Sequence, residues 1–142
     1  MKKKILLYLL LSGSTLILNS CSTPPEKYFG TAVLNTNLLI GFAGDGFSRQ
    51  LESPSAMLSG DNGEISEMKR SEVVSSKIKQ TEENLDKVES LRETDDTKDM
   101  INASLALYKY VLPVYKNEYV ELAELYDNGA SKEQIQQKTK SI

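Results

Sequence analysis

The sequence contains no histidine, no tryptophan and a single cysteine, Cys21. Histidine is the usual proton carrier near neutral pH and the commonest metal ligand. Its absence excludes Ser-His-Asp and Cys-His catalytic arrangements, and zinc sites built from histidine and cysteine. A single cysteine also excludes a disulfide within the chain. The many acidic residues fit solvated helix faces rather than a catalytic pair, so we predict no enzyme, no catalytic residue, no metal site and no cofactor.

The N-terminus has the pattern of a bacterial lipoprotein signal peptide. Lys2, Lys3 and Lys4 precede an uncharged apolar stretch, residues 5–18. That stretch is shorter than the roughly 20 residues of a membrane-spanning helix. It ends in Leu18-Asn19-Ser20-Cys21, which resembles a lipobox: Leu18 and Ser20 match, whereas Asn19 is less usual. We predict that residues 1–20 are removed and that Cys21 is lipidated; the alternative is an uncleaved anchor with an incidental cysteine.

Lipidation of Cys21 would make the lipid bilayer the first partner of the protein, because a diacylglyceryl cysteine with a further palmitate-type acyl chain is a firm anchor. Residues 21–27 contain Pro24 and Pro25, which favour an extended tether. Ser22, rather than aspartate, follows the cysteine, as in lipoproteins sent to the outer membrane. We therefore expect the outer membrane of the cell envelope, on its surface or its periplasmic face.

Charge argues against a nucleic-acid partner. Without the three signal-peptide lysines, 14 of the 17 basic residues and all 20 acidic residues remain, a formal charge of −6. Such a surface repels the phosphate backbone.

The remaining chain, residues 28–142, has the apolar spacing of helices. Residues 96–127 carry a seam of period 3.5 that favours one helix kinked at Pro113, the alternative being two helices. The run Thr94-Asp95-Asp96-Thr97 predicts helix capping, with a calcium site as the weaker alternative. Asn128-Gly129 marks the end of this helix.

Three further segments complete the predicted fold. Residues 66–93 repeat the seam at Val74, Ile78, Thr81, Leu85 and Val88. Residues 28–51 are predicted as a helix that buries Phe29, Val33, Ile40, Phe47 and Leu51, with its glycines allowing a neighbouring helix to approach. Residues 59–63 are a predicted loop, and Ser131 begins a last helix with a capping box. The fold class is therefore all-α: an antiparallel bundle of three long helices and a short, truncated-looking fourth.

The tyrosines of the third helix are the candidate site. Tyr108, Tyr115, Tyr119 and Tyr126 lie on its apolar seam. They favour an interface or an aromatic ligand cleft, where tyrosine supplies large contact area and a polar tip. The alternative is packing at the edge of the core, with hydroxyls that reach water.

Five segments carry a family resemblance: 51–55 (LESPS), 68–74 (MKRSEVV), 94–98 (TDDTK), 112–119 (LPVYKNEY) and 125–130 (LYDNGA). Together they resemble a family of uncharacterised bacterial surface lipoproteins. The resemblance implies a helical domain without an assigned active site. It also implies a further helical stretch beyond Ile142, so this copy looks short at its C-terminus.

Two functional hypotheses follow. The first is a non-catalytic interaction or structural module that meets an unknown envelope or host protein. The second is a carrier that holds a small apolar ligand between its helices. The apolar width of the third helix also predicts self-association into a homo-oligomer.

Overall fold

The computed structural model describes residues 25–42, 45–53, 55–59 and 64–142. The predicted signal peptide and the lipobox, including Cys21, lie outside the described residues. The described chain is mostly helical with one small antiparallel sheet, and is broadly all-α. Its elements are helix α1 (Pro25–Ala32), a 3₁₀ helix (Leu34–Leu39), α2 (Gly46–Glu52), strands β1 (Ser55–Ser59) and β2 (Glu64–Met68), α3 (Arg70–Glu89), α4 (Lys98–Val114), a π-helical turn (Tyr115–Tyr119), α5 (Val120–Asp127) and α6 (Lys132–Ser141).

Two long helical stretches form the frame. Helix α3 and the continuous stretch 98–127 run antiparallel, as three cross-helix contacts show: Arg70 with Asp127, Glu82 with Lys116, and Glu89 with Lys109. Helix α3 buries Val74, Thr81 and Val88 at seven-residue spacing, which confirms the narrow seam predicted for it. The Thr81 hydroxyl donates to the Lys77 carbonyl at 2.7 Å, so this buried polar group is satisfied within its own helix.

The third predicted helix is a single helical stretch, as expected, but it begins at Lys98 rather than residue 96. Pro113 lacks the N–H that an α-helix would direct at the Lys109 carbonyl. The chain stays helical and forms the π-helical turn two residues later. A π turn holds an extra residue, so it changes which side chains face the core. N-terminal to this turn, within α4, Ser104 and Val111 are buried, whereas Leu105 and Leu112 of the predicted seam are half-buried.

The capping prediction at 94–97 is wrong in detail. The Thr97 hydroxyl makes no capping bond to the first turn of α4. It accepts instead from the Thr94 N–H at 3.0 Å and pairs with the Thr94 hydroxyl at 2.8 Å. The turn between α3 and α4 is therefore closed by its own threonines.

The prediction of one long helix over residues 28–51 is wrong. Gly41 has φ +94, a left-handed conformation that no α-helix contains and that glycine adopts without strain. A Cβ on Gly46 would lie 2.8 Å from the Gly41 Cα, so these two glycines serve a tight turn rather than a contact between helices. The buried set is also displaced by one residue at two places: Tyr28 and Leu39 are inside, whereas Phe29 and Ile40 are exposed.

Two boundaries also require correction. Helix α1 begins at Pro25, so residues 25–27 of the predicted tether are helical. Proline is favoured in the first turn of a helix, where its missing N–H costs nothing. Strands β1 and β2 pair from Ser55 with Met68 to Ser59 with Glu64, so residues 66–68 belong to a hairpin instead of the second helix.

The C-terminal helix α6 begins as predicted. Ser131 caps it reciprocally: the Gln134 N–H donates to the serine hydroxyl at 3.3 Å, and the Ser131 N–H donates to the glutamine side chain at 3.0 Å. Lys138 of α6 then bonds to two carboxylates, Glu118 of the π-helical turn at 2.6 Å and Glu121 of α5 at 2.5 Å. These bonds hold the Lys138 ammonium in its charged form and raise its pKa.

Candidate interaction groove

An aromatic cluster joins the long stretch 98–127 to the turn and helix around residues 42–52. The Phe47 ring of α2 lies 4.8 Å from the Tyr119 ring and 5.3 Å from the Tyr115 ring, measured between centroids. Phe42 meets Tyr115 and Tyr110 edge-on at 5.6 and 5.9 Å. These distances and tilts suit the quadrupoles of aromatic rings. The cluster is therefore a packed wall shared by two distant parts of the sequence.

Two buried tyrosines of the long stretch, Tyr115 of the aromatic wall and Tyr108 outside it, have hydroxyls shielded from water. The Tyr108 and Tyr115 hydroxyls have no hydrogen-bond partner among the described residues. Burial raises the pKa of Tyr115 to about 12, and the neighbouring Tyr119 adds to the shift. Burial also raises the pKa of Tyr108, and the nearby Asn84 side chain offsets this only in part.

Tyr119 differs from the other two because its hydroxyl has a polar neighbour. The Ser48 hydroxyl of α2 donates to the Tyr119 oxygen at 3.5 Å. Both residues line an open groove of about 720 Å³ between α2, α4 and α6. Its apolar lining consists of Phe42, Leu107, Tyr110, Val114 and Ile142.

The rim of this groove exposes large apolar side chains. Tyr110 is 68% exposed, Leu107 is 40% exposed and Ile142 is 39% exposed. Asp45 is the charged residue of the lining, and it is engaged by Arg49, whose Nε donates to its carboxylate at 2.7 Å. An open apolar groove with few polar groups can accept an apolar side chain or ligand.

The four predicted tyrosines do not converge on one cleft. Tyr108 and Tyr115 are buried away from the groove, and only Tyr119 lines it. Tyr126 lies at a separate shallow hollow with Arg70 and Asp127. Tyr110 is the most exposed tyrosine that lines the groove, although it is not part of the predicted apolar seam. Its position off that seam is the sequence signal that it would be exposed.

Tyr126 belongs to a junction between α3, α5 and the hairpin. The Arg70 guanidinium lies 5.9 Å from the centre of the Tyr126 ring and pairs with Glu67 at 2.8 Å. The Asp127 carboxylate accepts from the Arg70 and Ser71 N–H groups at 2.8 and 3.0 Å. A residue near the end of α5 thus caps the start of α3, which makes this junction structural.

Two further findings concern the parts of the chain that the structure describes. Within them, no three or more cysteine, histidine, aspartate or glutamate side chains come together as a metal site. No helix there is long and apolar enough to span a bilayer.

Comparisons with known proteins add no relative: no protein-family model, no curated protein and no solved structure matches this chain.

Proposed function

We propose that the protein is a lipid-anchored component of the bacterial cell envelope, held in the outer membrane, whose helical domain acts without catalysis as an interaction or structural module. The observation that carries this proposal is the sequence Leu18-Asn19-Ser20-Cys21 behind a lysine-rich start and a short apolar stretch. Lipidation also accounts for a lone cysteine in an exported protein.

The start of the folded domain supports close tethering. Helix α1 begins at Pro25, four residues after Cys21. Four residues span at most about 14 Å of extended chain. A domain anchored through Cys21 would therefore rest against the bilayer surface, and its partners would be those that reach the membrane.

The proposed framework for this module is an antiparallel helical bundle in which the broken segment 25–52 takes the place of a third long helix. The groove lined by Phe42, Tyr110 and Tyr119 supports a partner-binding role, since exposed aromatic side chains contribute large contact areas. The family of surface lipoproteins that the sequence resembles would fit such a role.

Sidedness is tested by protease treatment of intact cells, with Cys21→Ala as the control for anchoring. Digestion of the wild-type domain, while periplasmic marker proteins survive, supports a surface location and a host or neighbouring-cell partner. Protection until the envelope is opened supports a periplasmic face. Recovery of the wild-type protein in the soluble fraction contradicts the anchor.

The second candidate function, carriage of a small apolar ligand, is supported by the size and apolar lining of the same groove. Native mass spectrometry of protein purified from its own cells separates the two. A retained mass that is lost in Leu107→Asp, which places a charge at the groove rim, favours carriage. An empty protein favours the interaction module.

Self-association through the exposed rim is a further proposal, supported by Leu107 and Tyr110 on one side of α4. Light scattering of residues 22–142, produced without the signal peptide and the lipid, tests it without lipid-driven clustering. A concentration-dependent dimer that Tyr110→Lys abolishes is the expected result. A monomer at all concentrations contradicts it.

A further inference from the structure

A second cavity, open to solvent, lies between α2, the β-hairpin and α3. Its volume is about 230 Å³. At roughly 30 Å³ for each water molecule, this space suits a ligand the size of a small organic acid. Part of its wall is apolar, formed by Phe47, Met68 and Val73.

The charge on the wall of this cavity is positive. Lys77 is the charged residue among those that line the cavity, and Gln50, Gln80 and two serine hydroxyls lie beside it. The Gln80 Nε2 donates to the Ser76 hydroxyl oxygen at 3.2 Å, so its second N–H and the serine O–H groups are the donors left for a ligand. The described lining contains no carboxylate. In a chain whose acidic residues outnumber its basic ones, a cavity without an acidic residue is suited to an anion.

The Lys77 ammonium is held in place without being neutralised. Its Nζ donates to the Leu38 carbonyl at 2.8 Å and lies 5.4 Å from the centre of the Phe47 ring. An ammonium has three N–H donors, so the carbonyl leaves two for another acceptor. Among the described residues, Lys77 is absent from the ion pairs, which involve Arg49, Arg70, Lys109, Lys116 and Lys138.

The partly buried surroundings of Lys77 disfavour an ammonium charge without a counter-ion. Partial burial lowers the pKa of Lys77, because the ammonium loses hydration without gaining a carboxylate. A bound anion would restore the missing favourable interaction. One N–H of the Lys77 ammonium anchors the 3₁₀ helix by donating to the Leu38 carbonyl. This structural role does not account for the other two N–H groups or for the cavity.

We propose that this cavity binds a small monocarboxylate with a short apolar or aromatic body. The carboxylate would meet Lys77 and the glutamine amides, and the body would pack on Phe47, Met68 and Val73. A monoanion suits the single cation better than a multiply charged phosphate does. This site goes beyond the proposed envelope function and does not depend on the lipid anchor.

The test uses the full chain, extracted from membranes in detergent, and benzoate as the probe. Backbone amide and methionine methyl signals are followed by NMR at constant ionic strength. We expect saturable shifts centred on Met68 and Gln80, with a dissociation constant on the order of millimolar, as for a ligand of this size. Benzamide, which has the same shape without the charge, should bind at least tenfold more weakly, and inorganic phosphate should not shift the same signals.

Variants assign the effect to the cavity. Lys77→Met should weaken benzoate binding at least tenfold, whereas Lys79→Met, an exposed neighbour on α3, should leave it unchanged. Gln80→Glu keeps the Lys77 bond to Leu38 and adds a negative charge to the cavity wall, so it should weaken binding several-fold even if Lys77→Met disturbs folding. Equal shifts with benzoate and benzamide, wild-type binding by Lys77→Met or Gln80→Glu, or no saturable shift would each overturn the proposal.

Discussion

Replacing Asp127, the last residue of α5, with alanine should destabilise the domain by removing the cap of a different helix, α3. Its carboxylate accepts from the Arg70 and Ser71 N–H groups at 2.8 and 3.0 Å, two free donors of the first turn of α3. Lys69, at the N-cap position, has no side-chain acceptor for them. Losing a capping oxygen costs about 1 kcal/mol, and losing the negative charge near a helix N-terminus costs roughly another 0.5 kcal/mol.

The cost of Asp127→Ala should depend on pH. Burial alone would raise the Asp127 pKa, but the hydrogen bonds from Ser71 and Arg70, together with the Arg70 charge, outweigh it and lower the pKa below 3.8. A carboxyl with a lowered folded-state pKa stabilises the fold fully above its unfolded-state pKa. This stabilisation is lost as the pH falls through the folded-state value. The difference between wild type and Asp127→Ala should therefore be constant near neutral pH and shrink in strong acid, where the protonated carboxyl remains only as a neutral acceptor.

Urea unfolding followed by circular dichroism measures this difference directly. The expected free-energy loss at neutral pH is about 1.5 kcal/mol. Glu83→Ala, an exposed change on α3, is the matched control and should stay within about 0.5 kcal/mol of wild type. Equal midpoints for wild type and Asp127→Ala, or a difference that persists undiminished in strong acid, would refute the remote cap.

The remaining predictions concern the turn, the aromatic wall and the last helix. Gly46→Ala should cost about 1–3 kcal/mol in urea unfolding, because its Cβ would lie 2.8 Å from the opposing backbone. Gly30→Ala, which meets nothing within 4 Å, should stabilise α1 by about 0.5–1 kcal/mol, and the opposite order would contradict the tight turn. Tyr115→Phe removes a buried hydroxyl without a partner, so thermal unfolding should show equal or greater stability; a loss above about 1 kcal/mol would mean that the hydroxyl is bonded. Lys138→Met should speed hydrogen exchange in α6 while Lys140→Met should not, and equal protection in both would show that the Lys138 ion pairs do not dock the helix.

The long helices were predictable from sequence because each repeats one local pattern over many turns. Val74, Thr81 and Val88 recur at seven-residue spacing, the half-buried Ile78 and Leu85 flank them, and polar residues dominate the rest of α3. Such a pattern specifies both the element and its buried face. The Ser131 cap was readable for the same reason, since its bonds join residues three apart.

Segment 25–52 was not predictable in this way. Its apolar residues fit a helical period, but the backbone is set by the left-handed Gly41 and its close approach to Gly46. A displacement of one residue then exchanges Phe29 for Tyr28 inside the core. The hairpin was missed because residues 66–68 also fit the start of a helix. Asn62-Gly63, between two five-residue segments, was the available hairpin signal.

The two candidate cavities depend on tertiary contacts that no local pattern encodes. The tyrosine seam identified a buried set, but not that Tyr119 alone of the four would line the groove. Lys77 resembles the other lysines of α3 in sequence. Its surroundings come from Leu38 and Phe47, both at least 30 positions away along the chain.

The central claim, a lipid anchor on Cys21, is tested most directly by mass spectrometry of the N-terminal peptide of protein extracted from membranes. We predict a mature N-terminus at Cys21 that carries a diacylglyceryl group, whereas the Cys21→Ala protein should lack the modification and retain residues 18–20 in its N-terminal peptide. An unmodified cysteine within a peptide that still contains residues 18–20 would contradict the account.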